Sequence, residues 1–101
     1  MPAVALIGVL AIPSTAFAGG WIPYHNWSNS CGYGVIEMNP TKSYASSRPS
    51  KYRCRAEATA VQEYHKNFAI SEDTQQVAIA QLYGNPSQDG DDAYATAFYM
   101  K

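Results

Sequence analysis

An apolar run at the amino terminus, from Ala3 to Ile12, indicates which part of the chain forms the folded domain. The run breaks at a proline and leads into an Ala-x-Ala site that ends at Ala18. A short apolar stretch followed by such a site is typical of a secretory signal peptide. We therefore expect residues 1–18 to be a cleaved leader and residues 19–101 to form one small exported domain, periplasmic or extracellular.

The alternative is that residues 3–18 stay on the protein as a membrane anchor. A membrane-spanning helix needs about 20 apolar residues, whereas this stretch becomes polar at Ser14 and Thr15. The pattern favours cleavage. If the leader were retained, the protein would be an accessory subunit of a membrane complex, facing the non-cytoplasmic side.

The two cysteines of the chain, Cys31 and Cys54, both lie in the exported part. In an oxidising compartment an isolated pair predicts one disulfide. Closing a loop of about 20 residues is worth roughly 3 kcal/mol in the loop-entropy model, which matters for a domain with a small core. Free thiols, or a metal site completed by His25 and His65, are weaker alternatives because the spacing typical of metal ligands is missing.

The middle of the chain predicts two helices. Apolar residues recur there at intervals of three and four, which suggests one face of a helix over about 50–69; they are Cys54, Ala58, Val61, Tyr64 and Phe68. Ser71, Glu72 and Asp73 look like the start of a second helix over about 72–83, which Gly84 would end. The pattern predicts a small α+β or mainly α fold built on a two-helix hairpin.

The segments on either side of these helices have weaker patterns. Before them, an aromatic-rich stretch contains one predicted strand, Tyr33 to Met38, which turns at Asn39–Lys42 into a short hairpin with Ser43 to Ser47. After them, the tail from Ala93 to Met100 alternates large residues with alanine and fits a strand or a third helix. We expect one irregular or β-hairpin segment before the helices and leave the tail open.

The sequence favours a non-catalytic role without a cofactor. It has only two histidines, His25 and His65, and none of the motifs typical of nucleophilic, zinc or phosphate chemistry. The formal net charge of −1 gives no basic footprint for nucleic acid, and the basic cluster from Arg48 to Arg55 fits an exposed helix start. We predict neither an enzyme, nor a metal protein, nor a nucleic-acid-binding protein.

Aromatic residues are the remaining signal, because 13% of the chain is Phe, Trp or Tyr. Rings with a polar tip are enriched at interfaces, and two short helices cannot cover so many of them. We expect an interface for a protein partner or for further copies of this chain; its candidate residues are Trp21, Tyr24, Trp27, Tyr94, Phe98 and Tyr99. The predicted function is a structural or interaction subunit of an envelope or extracellular assembly. A secreted small-ligand-binding or effector protein is the alternative.

Overall fold

The computed structural model describes residues 21–86 and 90–100, and the predicted leader lies outside them. The described residues form seven β-strands and no helix. The strands are β1 (Ile22–Ser28), β2 (Gly32–Asn39), β3 (Lys42–Pro49), β4 (Cys54–Gln62), β5 (His65–Ser71), β6 (Ala78–Tyr83) and β7 (Asp92–Tyr99). The predicted α+β or mainly α fold is therefore wrong, because the described chain is all-β.

The strands form two antiparallel sheets that pack face to face. One sheet has the order β1-β2-β3-β6 and the other has the order β5-β4-β7. The chain crosses between the sheets after β3, after β5 and after β6. In the sandwich β3 and β6 lie over β4, and β2 lies over β7. Because one sheet has a fourth strand, β1 extends beyond the edge of the smaller sheet and pairs with β2.

The predicted helix over 50–69 is instead the hairpin of β4 and β5, paired from Ala56 with Ser71 to Gln62 with His65. Every second residue of β4 is buried against the other sheet, which is the period of a strand; these residues are Cys54, Ala56, Ala58, Ala60 and Gln62. The spacing of three and four was coincidental, since Tyr64 and Phe68 are exposed.

The predicted helix over 72–83 is a turn followed by β6. The residues that resemble a helix start do cap backbone groups, but they do so in this turn. Ser71 Oγ accepts a hydrogen bond from Asp73 N at 3.3 Å, and Asp73 Oδ1 accepts one from Gln75 N at 2.8 Å. Side chains of this kind offer the backbone an alternative to helix, and here the alternative is adopted.

The β-hairpin predicted before the helices is present. Strand β2 contains the predicted residues Tyr33 to Met38, and Asn39 pairs with Lys42 across the predicted turn. The tail adopts the strand alternative as β7, with Ala93 and Ala97 buried and the large residues between them exposed. The predicted strand at Tyr33 to Met38 is confirmed, and for the tail, where the sequence fits a strand or a helix equally, the structure selects the strand.

The space between the sheets is filled by small side chains. Its main apolar cluster consists of alanines, namely Ala45, Ala58, Ala60, Ala78 and Ala80. The serines Ser43 and Ser47 of β3 are also fully buried. Their hydroxyls donate to carbonyl oxygens of the opposite sheet, Ser43 to Val61 at 2.6 Å and Ser47 to Thr96 at 2.8 Å. With methyl groups and hydroxyls inside, the sandwich has no room for rings, so most of its rings point outward.

The predicted disulfide between Cys31 and Cys54 is confirmed. Cys31 immediately precedes β2 and Cys54 begins β4, with Cα atoms 5.5 Å apart, so the bond links the two sheets. Trp27 of β1 packs against this disulfide and Ala97, and its indole donates to the Ser46 carbonyl at 3.0 Å. The bond therefore fastens the sandwich at one end and helps to hold β1 in place.

Candidate functional site

The outer surface of the β5-β4-β7 sheet carries an ordered array of exposed apolar side chains, on the side of the sheet that faces away from the alanine core. Directly paired residues of antiparallel strands point to the same face, so the register defines which side chains lie there. We call this surface the aromatic face; its residues are Arg55, Glu57, Thr59, Val61, Lys66, Phe68, Ile70, Asp92, Tyr94, Thr96 and Phe98.

The centre of the aromatic face is a row formed by Phe68, Thr59 and Tyr94. Thr59 pairs with Phe68 on one side and with Tyr94 on the other. The threonine is 5% exposed, whereas the two rings are 53% and 44% exposed. Since the rings are two strands apart, their backbones lie about 10 Å from each other. They flank an open groove of about 330 Å³ with the short threonine as its floor.

Two opposite charges lie at one end of the aromatic face. Val61 pairs with Lys66 of β5 and with Asp92 of β7, so the ammonium and the carboxylate occupy opposite edges of one row. Among the described residues, neither of these groups forms an ion pair. Partial burial raises the pKa of Asp92 above its ordinary value of 3.8, although a hydrogen bond from Ala93 N opposes the shift.

Charges at the other end of the aromatic face are paired within the chain, where one arginine bonds two glutamates. Arg55 Nε lies 2.8 Å from Glu57 Oε2, and Arg55 Nη1 lies 3.2 Å from Glu72 Oε2. Partly exposed pairs of this kind add little stability, but they fix the positions of the side chains. The aromatic face thus has a compensated end and an end where Lys66 and Asp92 have no ion-pair partner among the described residues.

Two of the predicted interface residues, Tyr94 and Phe98, lie on the aromatic face. The sequence prediction missed Phe68 and Ile70, which are 53% and 45% exposed beside them on β5. The alternation of Lys66, Phe68 and Ile70 with smaller residues was the available signal. It was overlooked because Phe68 also fitted the expected helix.

The other predicted interface residues lie elsewhere. Tyr24 is exposed on the outer surface of the larger sheet, beside Glu37 and Tyr44. Trp21 precedes β1 and is 40% exposed, and Tyr99 is exposed at the end of β7. Trp27 is half-buried against the disulfide. The six predicted residues therefore do not form one surface.

The histidines considered for catalysis or metal binding are far apart in the topology. His25 lies in β1 of one sheet, His65 begins β5 of the other, and both are exposed. Within residues 21–86 and 90–100, no three His, Cys, Asp or Glu side chains are grouped as metal ligands. The same residues include no helix long and apolar enough to span a membrane.

Comparison with known proteins assigns no family to this arrangement. No protein-family model, no curated protein and no solved structure matches the chain. The aromatic face and the disulfide are therefore the features of the molecule that bear on its function.

Proposed function

We propose that this protein is a non-catalytic interaction subunit that works outside the cytosol and binds another protein through the aromatic face. The observation that carries this proposal is the inverted distribution of side-chain size. Alanine and serine make up most of the core, while Phe68, Ile70, Tyr94 and Phe98 are each more than 40% exposed on one sheet. A soluble monomer seldom exposes a contiguous apolar patch of this kind unless the patch binds something.

Location outside the cytosol is supported by the disulfide, because such bonds persist in oxidising compartments. The Ala-x-Ala site ending at Ala18 supplies the route by which the chain would be exported. Intact-mass measurement of the protein from its native source tests this step. We expect the mass of residues 19–101 with one disulfide, whereas a full-length mass would favour the anchored accessory subunit.

The chemistry of the aromatic face suits a protein partner. Its rings offer large apolar area at a low cost in conformational entropy, and the Tyr94 hydroxyl keeps a polar tip. Thr59 and Thr96 add hydroxyl groups next to the rings. The charged residues lie at the two ends of the sheet, which matches the usual plan of an apolar centre and a polar rim.

Site-specific photo-crosslinking in the producing cell tests the binding surface. A photoreactive phenylalanine analogue is placed at Phe68 or Tyr94 on the aromatic face, or at Tyr52 as the control. Tyr52 is a matched position because it is an exposed aromatic, 83% accessible, in the turn before β4. We expect discrete protein adducts from the first two positions and none from the third.

Two results would contradict the proposed function. One is the absence of protein adducts from Phe68 and Tyr94 when the protein is present at its native level. The other is equal labelling from Tyr52, which would indicate non-specific contact. Circular dichroism of each purified variant checks that the analogue leaves the sandwich folded.

The groove between Phe68 and Tyr94 favours one second candidate, a small-ligand-binding protein. Its volume of about 330 Å³ falls at the lower end of the range for ligand sites. A thermal-shift screen of small aromatic and polyhydroxy compounds against wild type and Phe68→Ala tests this function. Stabilisation that disappears in the variant would favour ligand binding over protein binding.

A further inference from the structure

We propose that the partner of the aromatic face is a second copy of this chain, packed face to face about a two-fold axis that runs parallel to β4. This inference rests on the proposed function and names its partner. It follows from the order of residues across the sheet. When one copy is turned over onto another by this rotation, opposite charges meet each other and rings meet rings.

The rotation exchanges the two edges of the sheet. A two-fold axis along β4, between the facing sheets, keeps each row at its own height and places β5 of one copy over β7 of the other. Each residue of β5 therefore meets the β7 residue of the second copy that belongs to the same row of the sheet. The strand register gives these partners directly.

The charged row is complementary under this rotation. Lys66 of each copy meets Asp92 of the other, and Val61 meets Val61 between them. Both charges lack an ion-pair partner among the described residues of their own chain. Two symmetric pairs of opposite charge would set the register and disfavour other packings of the same faces.

The ring row fits the same arrangement. Phe68 meets Tyr94 of the second copy, and this contact occurs twice. Because the Thr59 side chain is short, the groove between Phe68 and Tyr94 is deep. Each groove therefore has room for a ring of the other copy. Offset aromatic pairs are favourable beyond the area they bury.

The compensated end does not oppose the packing. On the axis Glu57 meets Glu57 and Arg55 meets Arg55 of the second copy, which alone would be repulsive. Each arginine is already bonded to the glutamate of its own chain at 2.8 Å, so each like charge that meets its copy has an opposite charge beside it. Phe98 meets the Arg55 and Glu72 pair from the side of β7.

The size of the face indicates a reversible dimer. Three strands about 4.8 Å apart and seven residues long give a contact of about 14 by 23 Å. This footprint of about 320 Å² is well below the roughly 800 Å² that a standard interface buries on each partner, and it places the contact among weak, transient interfaces. We expect a dissociation constant in the micromolar range, roughly 1 to 100 µM at low salt.

Charge reversal tests the inference with sedimentation equilibrium of the disulfide-bonded protein. Lys66→Asp and Asp92→Lys each place like charges at both ends of the row, and we expect each to weaken dimerisation about tenfold or more. The double variant restores opposite charges across the axis and should regain most of the wild-type affinity. Lys42→Asp, on the outer surface of the larger sheet, is the control and should leave the dissociation constant unchanged.

Three outcomes would overturn the inference. They are a wild-type protein that stays monomeric up to about 1 mM, single variants that dimerise as wild type does, and a double variant no better than the singles. Recovery in the double variant also rules out simple misfolding of the singles. If the protein is monomeric but Tyr94 crosslinks to a different protein, the proposed function stands and the second copy is wrong.

Discussion

The two outer surfaces of the sandwich both carry rings, but they differ in how their polar groups are satisfied. On the β1-β2-β3-β6 sheet, Lys42 Nζ lies 5.7 Å from the centre of the Tyr44 ring, and Arg48 Nε donates to the Thr74 carbonyl at 2.8 Å. On the aromatic face, Lys66 and Asp92 have no ion-pair partner among the described residues. Exposed rings are therefore common to both surfaces, and the aromatic face differs in having a lysine and an aspartate in one row, both without an ion-pair partner among the described residues.

The difference between the two outer surfaces does not involve the core, which both sheets share. Both sheets contribute the same small residues to the interior, Ala45 and Ala80 from one and Ala58 and Ala60 from the other. Because successive residues of a strand point to opposite faces, the outward residues vary independently of this core. Two surfaces with different roles can thus be carried by one small fold, and substitutions can test core and surface separately.

The largest effect should come from removing the disulfide, because it joins the sheets and so supports both surfaces. We expect Cys31→Ser with Cys54→Ser to lose roughly 3 kcal/mol of unfolding free energy. Urea unfolding followed by circular dichroism measures this loss. An unchanged midpoint would mean that the packing of Trp27 and Ala97 around the bond suffices without it.

Enlarging the core should have the next largest effect. Ala58→Leu adds three carbon atoms where the alanine is 1% exposed between the sheets, and we expect a loss of about 2 kcal/mol from overpacking. Thr96→Leu is the surface control, because it places the same leucine side chain at an exposed position of the neighbouring strand. Equal melting temperatures for the two variants would contradict an alanine core packed between the sheets.

The same alanines explain why the fold could be predicted only in part. The sequence correctly indicates a strand at Tyr33 to Met38 in β2, but the tail that forms β7 fits a strand or a helix equally. In β4 the inward residues are mostly alanine, which favours helices and gives a weak hydrophobic contrast to its neighbours. The alternation of inward and outward residues in β4 is therefore weak in the sequence, and an accidental spacing of three and four residues predicts a helix instead.

The turn between β4 and β5 gave no sequence signal either. Glu63 and Tyr64 both adopt positive φ, at 54° and 66°, where a two-residue hairpin turn usually has Asn-Gly. The turn is supported from outside, since Tyr64 N donates to the Gly90 carbonyl at 3.0 Å and Glu63 N donates to Asp91 Oδ1 at 3.0 Å. Such support comes from distant sequence and could not be inferred locally.

The candidate site was predictable to the extent that its strands were. Tyr94 and Phe98 were identified because aromatic content singled out the tail, and they do lie on one face. Phe68 and Ile70 were missed together with β5. Lys66 and Asp92 become candidates for one site only because the strand register places them in one row. No sequence pattern reveals that register.

Replacing one ring on each surface tests whether association depends on the aromatic face. We expect Phe68→Ser to weaken dimerisation about tenfold, which corresponds to about 1.4 kcal/mol, because it removes a ring from the centre of the aromatic face. Tyr83→Ser on the other sheet, which is also exposed, should leave dimerisation unchanged. Light scattering over a concentration series measures both. Equal effects would mean that association depends on overall ring content.

The smallest effect, and the most local, concerns the titration of Asp92. Burial raises the pKa of this carboxyl above 3.8 in the folded chain, so the folded state takes up a proton at a higher pH than the unfolded state does. The stability that this carboxyl contributes is present below 3.8 and is lost as the pH rises through the folded pKa.

Dimerisation should reverse part of this shift. If Lys66 of a second copy faces Asp92, its ammonium favours the charged carboxylate, so the pKa should fall as protein concentration increases. Carboxyl-carbon NMR titrations of dilute and concentrated samples measure this change, and Lys66→Gln should remove the dependence on concentration. A pKa that is the same in both samples, measured where sedimentation shows a dimer, would place the two charges apart and require a different register for the contact.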